Sequence, residues 1–129
     1  MTRLEQLNAL SERVIGAAIE VHRHLGPGLL ESAYQRCLET ELRICGIPYR
    51  AEVPLPVQYK DCALDCASRM DLLIDGKIIV ELKSVDDLLP VHTAQLLTYL
   101  RLQHLKLGLM INFNVPVLWR GIRRVANGL

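Results

Sequence analysis

The sequence predicts an α/β domain in which a mixed β-sheet is flanked by helices, with its elements in the order ααβββαββ. Three observations predict it. Apolar residues recur at helical spacing through the first 45 positions. From Arg50 the period changes to two. Beyond Lys83 a helical stretch separates two apolar runs, the layout of a crossover between strands of one sheet.

With 129 residues, half of them hydrophobic, the chain is expected to form one domain, residues 1–129, around a sizeable core. It has no internal repeat and no low-complexity tract. The uncharged stretch from Val14 to Ile19 is too short for a membrane span and lacks a signal-peptide layout. A cytoplasmic location is the expectation.

Thr2 can cap a first helix whose apolar positions are Leu4, Leu7, Val14, Ala17, Ala18, Val21 and Leu25. Gly26-Pro27-Gly28 breaks it. A second helix is expected from about Leu30 to Cys45, with Tyr34, Leu38 and Leu42 inward and Gly46 as its C-terminal cap. Glu31 falls in its first turn, where a carboxylate also suits the helix dipole. In the first strand Val53, Leu55, Val57 and Tyr59 alternate with Glu52, Pro54, Pro56 and Gln58, and two prolines on one face place it at an edge. Lys60-Asp61 turns the chain into a strand that begins at Cys62, Leu64 and Cys66 and merges into Met70 to Ile74. Ile78 to Lys83 follows, apolar enough for a central position. A third helix is expected from about Pro90 to His104, with Leu96, Leu97 and Leu100 inward and His92, Gln95 and Tyr99 sharing another face. Leu107 to Phe113 and Val115 to Arg120 complete the set as strands.

The chemistry concentrates in Met70 to Lys83, MDLLIDGKIIVELK. Asp71, Glu81 and Lys83 interrupt core-strand sequence, where unpaired charge is costly. Residues 79, 81 and 83 share one strand face. An odd number of turn residues puts Asp71 on that face, opposite or diagonal to Glu81, whereas a two-residue turn puts it on the other. A turn closed by a left-handed glycine suits Asp75-Gly76 and favours the odd loop. Two converging carboxylates can bind Mg²⁺ or Mn²⁺ and leave positions open for water and phosphate, while the lysine offsets charge or orients a nucleophile. The bland alternative is an ion pair at a sheet edge. If the carboxylates do face each other, at least one should titrate above its ordinary value.

Net charge is +1, but its distribution is uneven. Residues 1–87 carry ten Lys/Arg and all fourteen acids, whereas residues 88–129 carry Arg101, Lys106, Arg120, Arg123 and Arg124 with no acid. Such a basic third suits a polyanion lying across one face, and equally suits an ordinary basic tail. Cys37, Cys45, Cys62 and Cys66 form no Cys-x-x-Cys pair and are expected to be buried reduced thiols, with an iron–sulfur or zinc role as the lesser alternative.

Taken in order, Glu31, Asp71, Glu81-x-Lys83 and Gln95-x-x-x-Tyr99 resemble the motifs of PD-(D/E)XK nuclease-fold proteins, and more closely the chain resembles the small bacterial GxxExxY proteins of that superfamily. The motif stands as Gly28-Leu29-Leu30-Glu31-Ser32-Ala33-Tyr34, and the resemblance runs from about residue 10 to residue 126. It implies a restriction-endonuclease-like core. It implies that Asp71 and Glu81 hold Mg²⁺ or Mn²⁺, with the Leu82 carbonyl as a further ligand and Glu31 reaching the site directly or through water. Lys83 would orient or activate the attacking water. Gln95 and Tyr99 would contact the site and the substrate backbone, with His92 and Tyr34 as further substrate-side candidates. Arg120, Arg123 and Arg124 would meet phosphates. The proline of the superfamily's namesake motif is absent from Arg69-Met70-Asp71, and the chain has no cysteine beyond Cys66 to hold the iron–sulfur cluster found in some relatives.

The resemblance therefore implies a metal-dependent nuclease acting on DNA in preference to RNA, with a homodimer as an open arrangement. The alternative is a catalytically silent nuclease-fold module that binds nucleic acid or a protein. Few aromatic residues, six in all, suit the silent reading. The intact set of Glu31, Asp71, Glu81, Lys83 and Gln95 suits the enzyme.

Overall fold

The computed structural model describes residues 1–129, apart from the side chains of Cys66 and Ala67. Thr2 caps helix α1, Arg3–Leu25, through a capping box in which Glu5 N–H donates to the Thr2 hydroxyl and Thr2 N–H donates to the Glu5 carboxylate, both at 3.1 Å. The helix ends at Gly26, and both Gly26 (φ +69°) and Gly28 (φ +100°) take the left-handed conformations that the turn into α2, Glu31–Ile44, requires.

Strands β1, Tyr49–Tyr59, and β2, Cys62–Ile74, form a long antiparallel hairpin. Then come β3, Ile78–Lys83, helix α3, Pro90–Gln103, and β4, Leu107–Asn112. A 3₁₀ turn at Leu118–Gly121 leads into β5, Ile122–Ala126. The five strands lie in the order β1-β2-β3-β4-β5, with β3 and β4 parallel and the other neighbours antiparallel. This is the mixed α/β arrangement expected of a restriction-endonuclease-like core. The proline-bearing β1 is at an edge and β3 is central, as their sequences predict. Among the described residues no helix is long and apolar enough to cross a membrane.

The strand faces divide the core in two. Leu72, Ile74, Ile78, Val80, Leu82, Leu109 and Ile111 pack with α1 and α2, around Val14, Ala18, Leu38 and Leu42. Ile79 and Met110 pack with Leu96 and Leu100 of α3 on the other face. The helix approaches β4 closely because Gly108 has no side chain, and a Cβ there would sit 2.9 Å from the Leu96 side chain.

Three sequence expectations fail. The last strand is not Val115–Arg120 but Ile122–Ala126. Pro116 has no N–H for a ladder, and the Val115 carbonyl is taken by His22 Nε2–H at 2.8 Å, so this segment wraps the end of α1 instead. Leu4 and Leu25, placed in the apolar stripe of α1, are exposed at its ends. Cys45 and Cys62 are exposed rather than buried, and Cys37 is half-buried. Cys45 follows the last residue of α2, and the pleat turns Cys62 outward at a hairpin tip. The Cys66 side chain lies outside the described residues.

Candidate active site

The β2–β3 connection is Asp75-Gly76-Lys77, because Ile74 pairs with Ile78. Asp75 (φ +50°) and Gly76 (φ +66°) are both left-handed, which an Asp-Gly pair tolerates at low cost. Three is odd, so Asp71 falls opposite Glu81, one step beyond the pair Leu72 and Val80. Both lie on the α3 face, with Ile79.

At this point side chains replace the ladder. Asp71 N–H donates to Glu81 Oε2 at 3.1 Å, and Leu82 N–H donates to Asp71 Oδ2 at 2.8 Å. Each carboxylate thus has one oxygen tied to the opposite strand and one left over. Glu81 is 6 % exposed. Burial pushes its carboxyl up to about 9, and the hydrogen bond and charge of Asp71 push the same way. The Asp71 N–H bond and the Lys83 ammonium oppose this only in part. The upward shift expected for facing carboxylates is therefore present at Glu81, which carries a proton at neutral pH when no metal is bound.

Lys83 is half-buried on the same face, two residues beyond Glu81. Among the described residues its ammonium makes no hydrogen bond or ion pair. The segment after it is held firmly. Phe113 N–H donates to the Lys83 carbonyl at 2.9 Å, and the buried Asn112 carboxamide binds both Val85 N–H (3.0 Å) and the Val85 carbonyl (2.9 Å). Asn112 is paired with Lys83 in the sheet. Nothing in the sequence pattern marked Asn112 beyond its being polar at the end of an apolar strand.

Tyr99 faces the carboxylates from α3. Burial, and then the negative charges of Glu81 and Asp71, raise its phenol above the ordinary value, while a Ser68 hydrogen bond partly offsets this. The hydroxyl therefore remains a donor throughout the neutral range. Gln95, one helical turn earlier, is exposed. His92 serves the helix itself, since Leu89 N–H donates to its Nδ1 at 3.0 Å and the bond caps α3.

Glu31 is exposed at the first position of α2 and accepts a 3.4 Å hydrogen bond from Ser84 N–H, just past Lys83. It borders the site without joining the carboxylate pair, since no group of three or more His, Cys, Asp or Glu side chains converges among the described residues. Tyr34, placed on the substrate side by sequence, is fully buried. Its hydroxyl donates to the Gly26 carbonyl at 2.5 Å and accepts from Leu29 N–H at 3.2 Å, and its ring stacks on Phe113 at 4.5 Å. It shapes the loop that presents Glu31 and touches no solvent.

The basic third does not lie on one face. Met110 is paired with both Glu81 and Arg123, so Asp71, Glu81, Met110 and Arg123 form one row across the site face. Two strand spacings put the Arg123 backbone about 10 Å from Glu81. Arg124 takes the opposite face, where Nη2 donates to Asn8 Oδ1 of α1 at 2.8 Å. Arg120 lies over the Trp119 ring, 5.5 Å from its centroid, beyond the end of β4. Arg101 lies in the last turn of α3 and Lys106 precedes β4 at the far end of the sheet. The alternation of side chains along β5 separates neighbours that sequence alone groups together.

Sequence reasoning also passed over Gln35, which follows Glu31 by one helical turn. Its Nε2 donates to Glu52 Oε1 at 2.9 Å and to the Asp71 carbonyl at 3.3 Å. The spacing of four from Glu31 was the one signal available for it.

The chain matches the family model for the PD-(D/E)XK nuclease superfamily over residues 8–125. It belongs to that superfamily. The match takes in both carboxylates, Lys83, strands β1 to β4 and β5 up to Val125. No curated protein and no solved structure matches the sequence. Members of the superfamily have a nuclease-type fold, generally use divalent metal ions and act on nucleic acid.

The donor set here fits such an ion. Asp71 and Glu81 each keep one oxygen free of the backbone, and oxygen donors suit Mg²⁺ and Mn²⁺. The Leu82 carbonyl leaves the strand on the same edge as its N–H, which points at Asp71.

Proposed function

We propose that this protein is a Mg²⁺- or Mn²⁺-dependent nuclease that hydrolyses phosphodiester bonds, in DNA in preference to RNA, and that it belongs to the GxxExxY branch of its superfamily. The observation that carries the reading is the apposition of Asp71 and Glu81 on one face, beside a Lys83 whose ammonium makes no hydrogen bond or ion pair among the described residues.

Asp71, Glu81 and the Leu82 carbonyl would hold the ion, with Glu31 acting from the border through water. When bound, the ion supplies Lewis-acid polarisation of the phosphoryl group and offsets its developing charge. Glu81 must give up its proton to bind it. Lys83 orients the attacking water and, being unpaired, has all its donors free to do so. Tyr99 donates from α3 toward a non-bridging phosphate oxygen, and the exposed Gln95 meets the strand one turn away. Arg123 sits where a neighbouring phosphate passes along the row. Arg120 lies beyond β4, and Arg124 faces away. Such phosphate contacts position a strand without reading its sequence.

The competing reading is a silent module that binds nucleic acid or a protein. The neutral, hydrogen-bonded Glu81 of the metal-free site supports it, since the pair also serves the fold. The unpaired Lys83 argues for catalysis.

The test is cleavage of labelled single-stranded DNA, double-stranded DNA and RNA with Mg²⁺ or Mn²⁺, comparing wild type with Glu81→Ala. Cleavage that requires metal and is lost in the variant supports the nuclease and names its substrate. No cleavage by folded wild-type protein transfers the proposal to the binding module.

A further inference from the structure

The β1–β2 ladder is interrupted beside the carboxylates. Ala51 pairs with Leu72 and Val53 with Met70, but between them Glu52, opposite Asp71, has φ +51°. A glutamate is costly in that left-handed conformation and keeps it only where its surroundings fix it. Here two bonds hold Glu52, and a third ties the same Gln35 amide to Asp71. Gln35 Nε2 donates to the Glu52 carboxylate and to the Asp71 carbonyl, and Arg69 Nη1 donates to the Glu52 carbonyl at 3.3 Å. Both partners of Gln35 can only accept, so its amide nitrogen must be the end that faces them.

Both backbone groups of Asp71 are therefore held by side chains, the N–H by Glu81 and the carbonyl by Gln35. We infer that Gln35, together with Glu52, is a positioning residue that fixes the Asp71 carboxylate against Leu82. Gln35 comes from α2, on the opposite side of the sheet from α3, so it cannot meet a substrate on the carboxylate face. It acts through the Asp71 backbone. Glu52 gives the amide its second anchor, and the left-handed turn at Glu52 leaves the Asp71 carbonyl open to α2. The inference rests on the metal-site reading for its consequence in catalysis, but not for its geometry.

Leu82 N–H bonds directly to Asp71 Oδ2, so its hydrogen exchange reports where that carboxylate sits. Exchange and Mn²⁺ affinity would be measured for wild type, Gln35→Ala, the near-isosteric Gln35→Met, Glu52→Gln and Glu81→Ala. Loss of the Gln35 bonds should speed Leu82 exchange about three- to tenfold, in keeping with the loss of an ordinary hydrogen bond, and weaken Mn²⁺ binding by a similar factor. The Ile111 amide in β4 should be unaffected. Glu52→Gln keeps an acceptor oxygen and should behave as wild type. Unchanged Leu82 exchange in Gln35→Met, or equal acceleration of Leu82 and Ile111, overturns the inference. If wild type binds no Mn²⁺ while Leu82 exchange still responds to Gln35→Met, the metal-site reading fails and the positioning role stands.

Discussion

Asp71 and Glu81 bind each other's strands through their side chains, Glu81 taking the Asp71 amide and Asp71 taking the amide next to Glu81. The pair is at once a structural splice and the donor set for a metal. The first prediction separates these two roles. Glu81→Gln keeps a neutral acceptor in the same place, so the metal-free variant should melt within a few degrees of wild type at pH 7, while Mn²⁺ binding is lost. Glu81→Ala should lose both, with a cost of about 1–3 kcal/mol for the unsatisfied partner alone. Calorimetric melting with and without Mn²⁺ checks both variants.

The raised Glu81 carboxyl fixes a pH dependence. In the unfolded chain this group ionises near 4.5, and in the metal-free fold near about 9. Between those values the folded state holds the extra proton. Its contribution to stability is therefore complete below about 4.5 and is lost as pH rises through about 9. Melting in EDTA should fall across that window, and Glu81→Gln should flatten the slope. Mn²⁺ affinity should rise with pH over the same range, with a proton released on binding. Titration calorimetry in two buffers of different ionisation heat measures that proton.

Lys83→Met removes the ammonium without touching a bond to the fold. Turnover should fall roughly 10²- to 10⁴-fold, the usual scale for a positioned proton-transfer or water-orienting group. Mn²⁺ affinity should change little. Single-turnover cleavage alongside metal titration tests this split, and unaltered turnover would remove Lys83 from the mechanism.

Arg123→Gln and Arg124→Gln change adjacent residues on opposite faces. Only the first should weaken nucleic-acid binding, reducing the slope of log affinity against log salt by about one contact. The single, exposed Trp119 provides a fluorescence signal for these titrations. Equal effects from the two variants would contradict the assignment of faces.

Gly121 fits where it does because a methyl there would overlap the Asn112 carbonyl oxygen. Gly121→Ala should cost about 1–3 kcal/mol, the range for forced overpacking, and should lower the melting temperature by several degrees. Because Asn112 pairs with Lys83, activity should fall as well.

Much of the fold was readable because periodicity is a one-dimensional signal. Two prolines on one face of an alternating run placed β1 at an edge, and the apolar run of β3 placed it at the centre. The odd loop followed from Asp75-Gly76, and with it the apposition of Asp71 and Glu81. What escaped the sequence depends on distant partners. Val115–Arg120 has strand composition, but His22, 93 residues away, takes the Val115 carbonyl. Tyr34 belongs to a motif, yet the motif does not say that its hydroxyl turns back to Gly26. Gln35 is an ordinary helix residue until β1 kinks at Glu52 to meet it. The three arginines of β5 and the turn before it are neighbours in sequence, and only the pairing of Met110 with Arg123 shows which one shares the carboxylate face.

The splice between β2 and β3 has a consequence for how substitutions at this site are opposed. A change at Asp71 or Glu81 damages the sheet as well as the chemistry, so folding alone would protect both positions in a chain that had ceased to cleave anything. Lys83 has no such protection: among the described residues its ammonium makes no hydrogen bond or ion pair, and a methionine would fit its strand. Of Asp71, Glu81 and Lys83, it is the lysine whose upkeep would fall to activity alone.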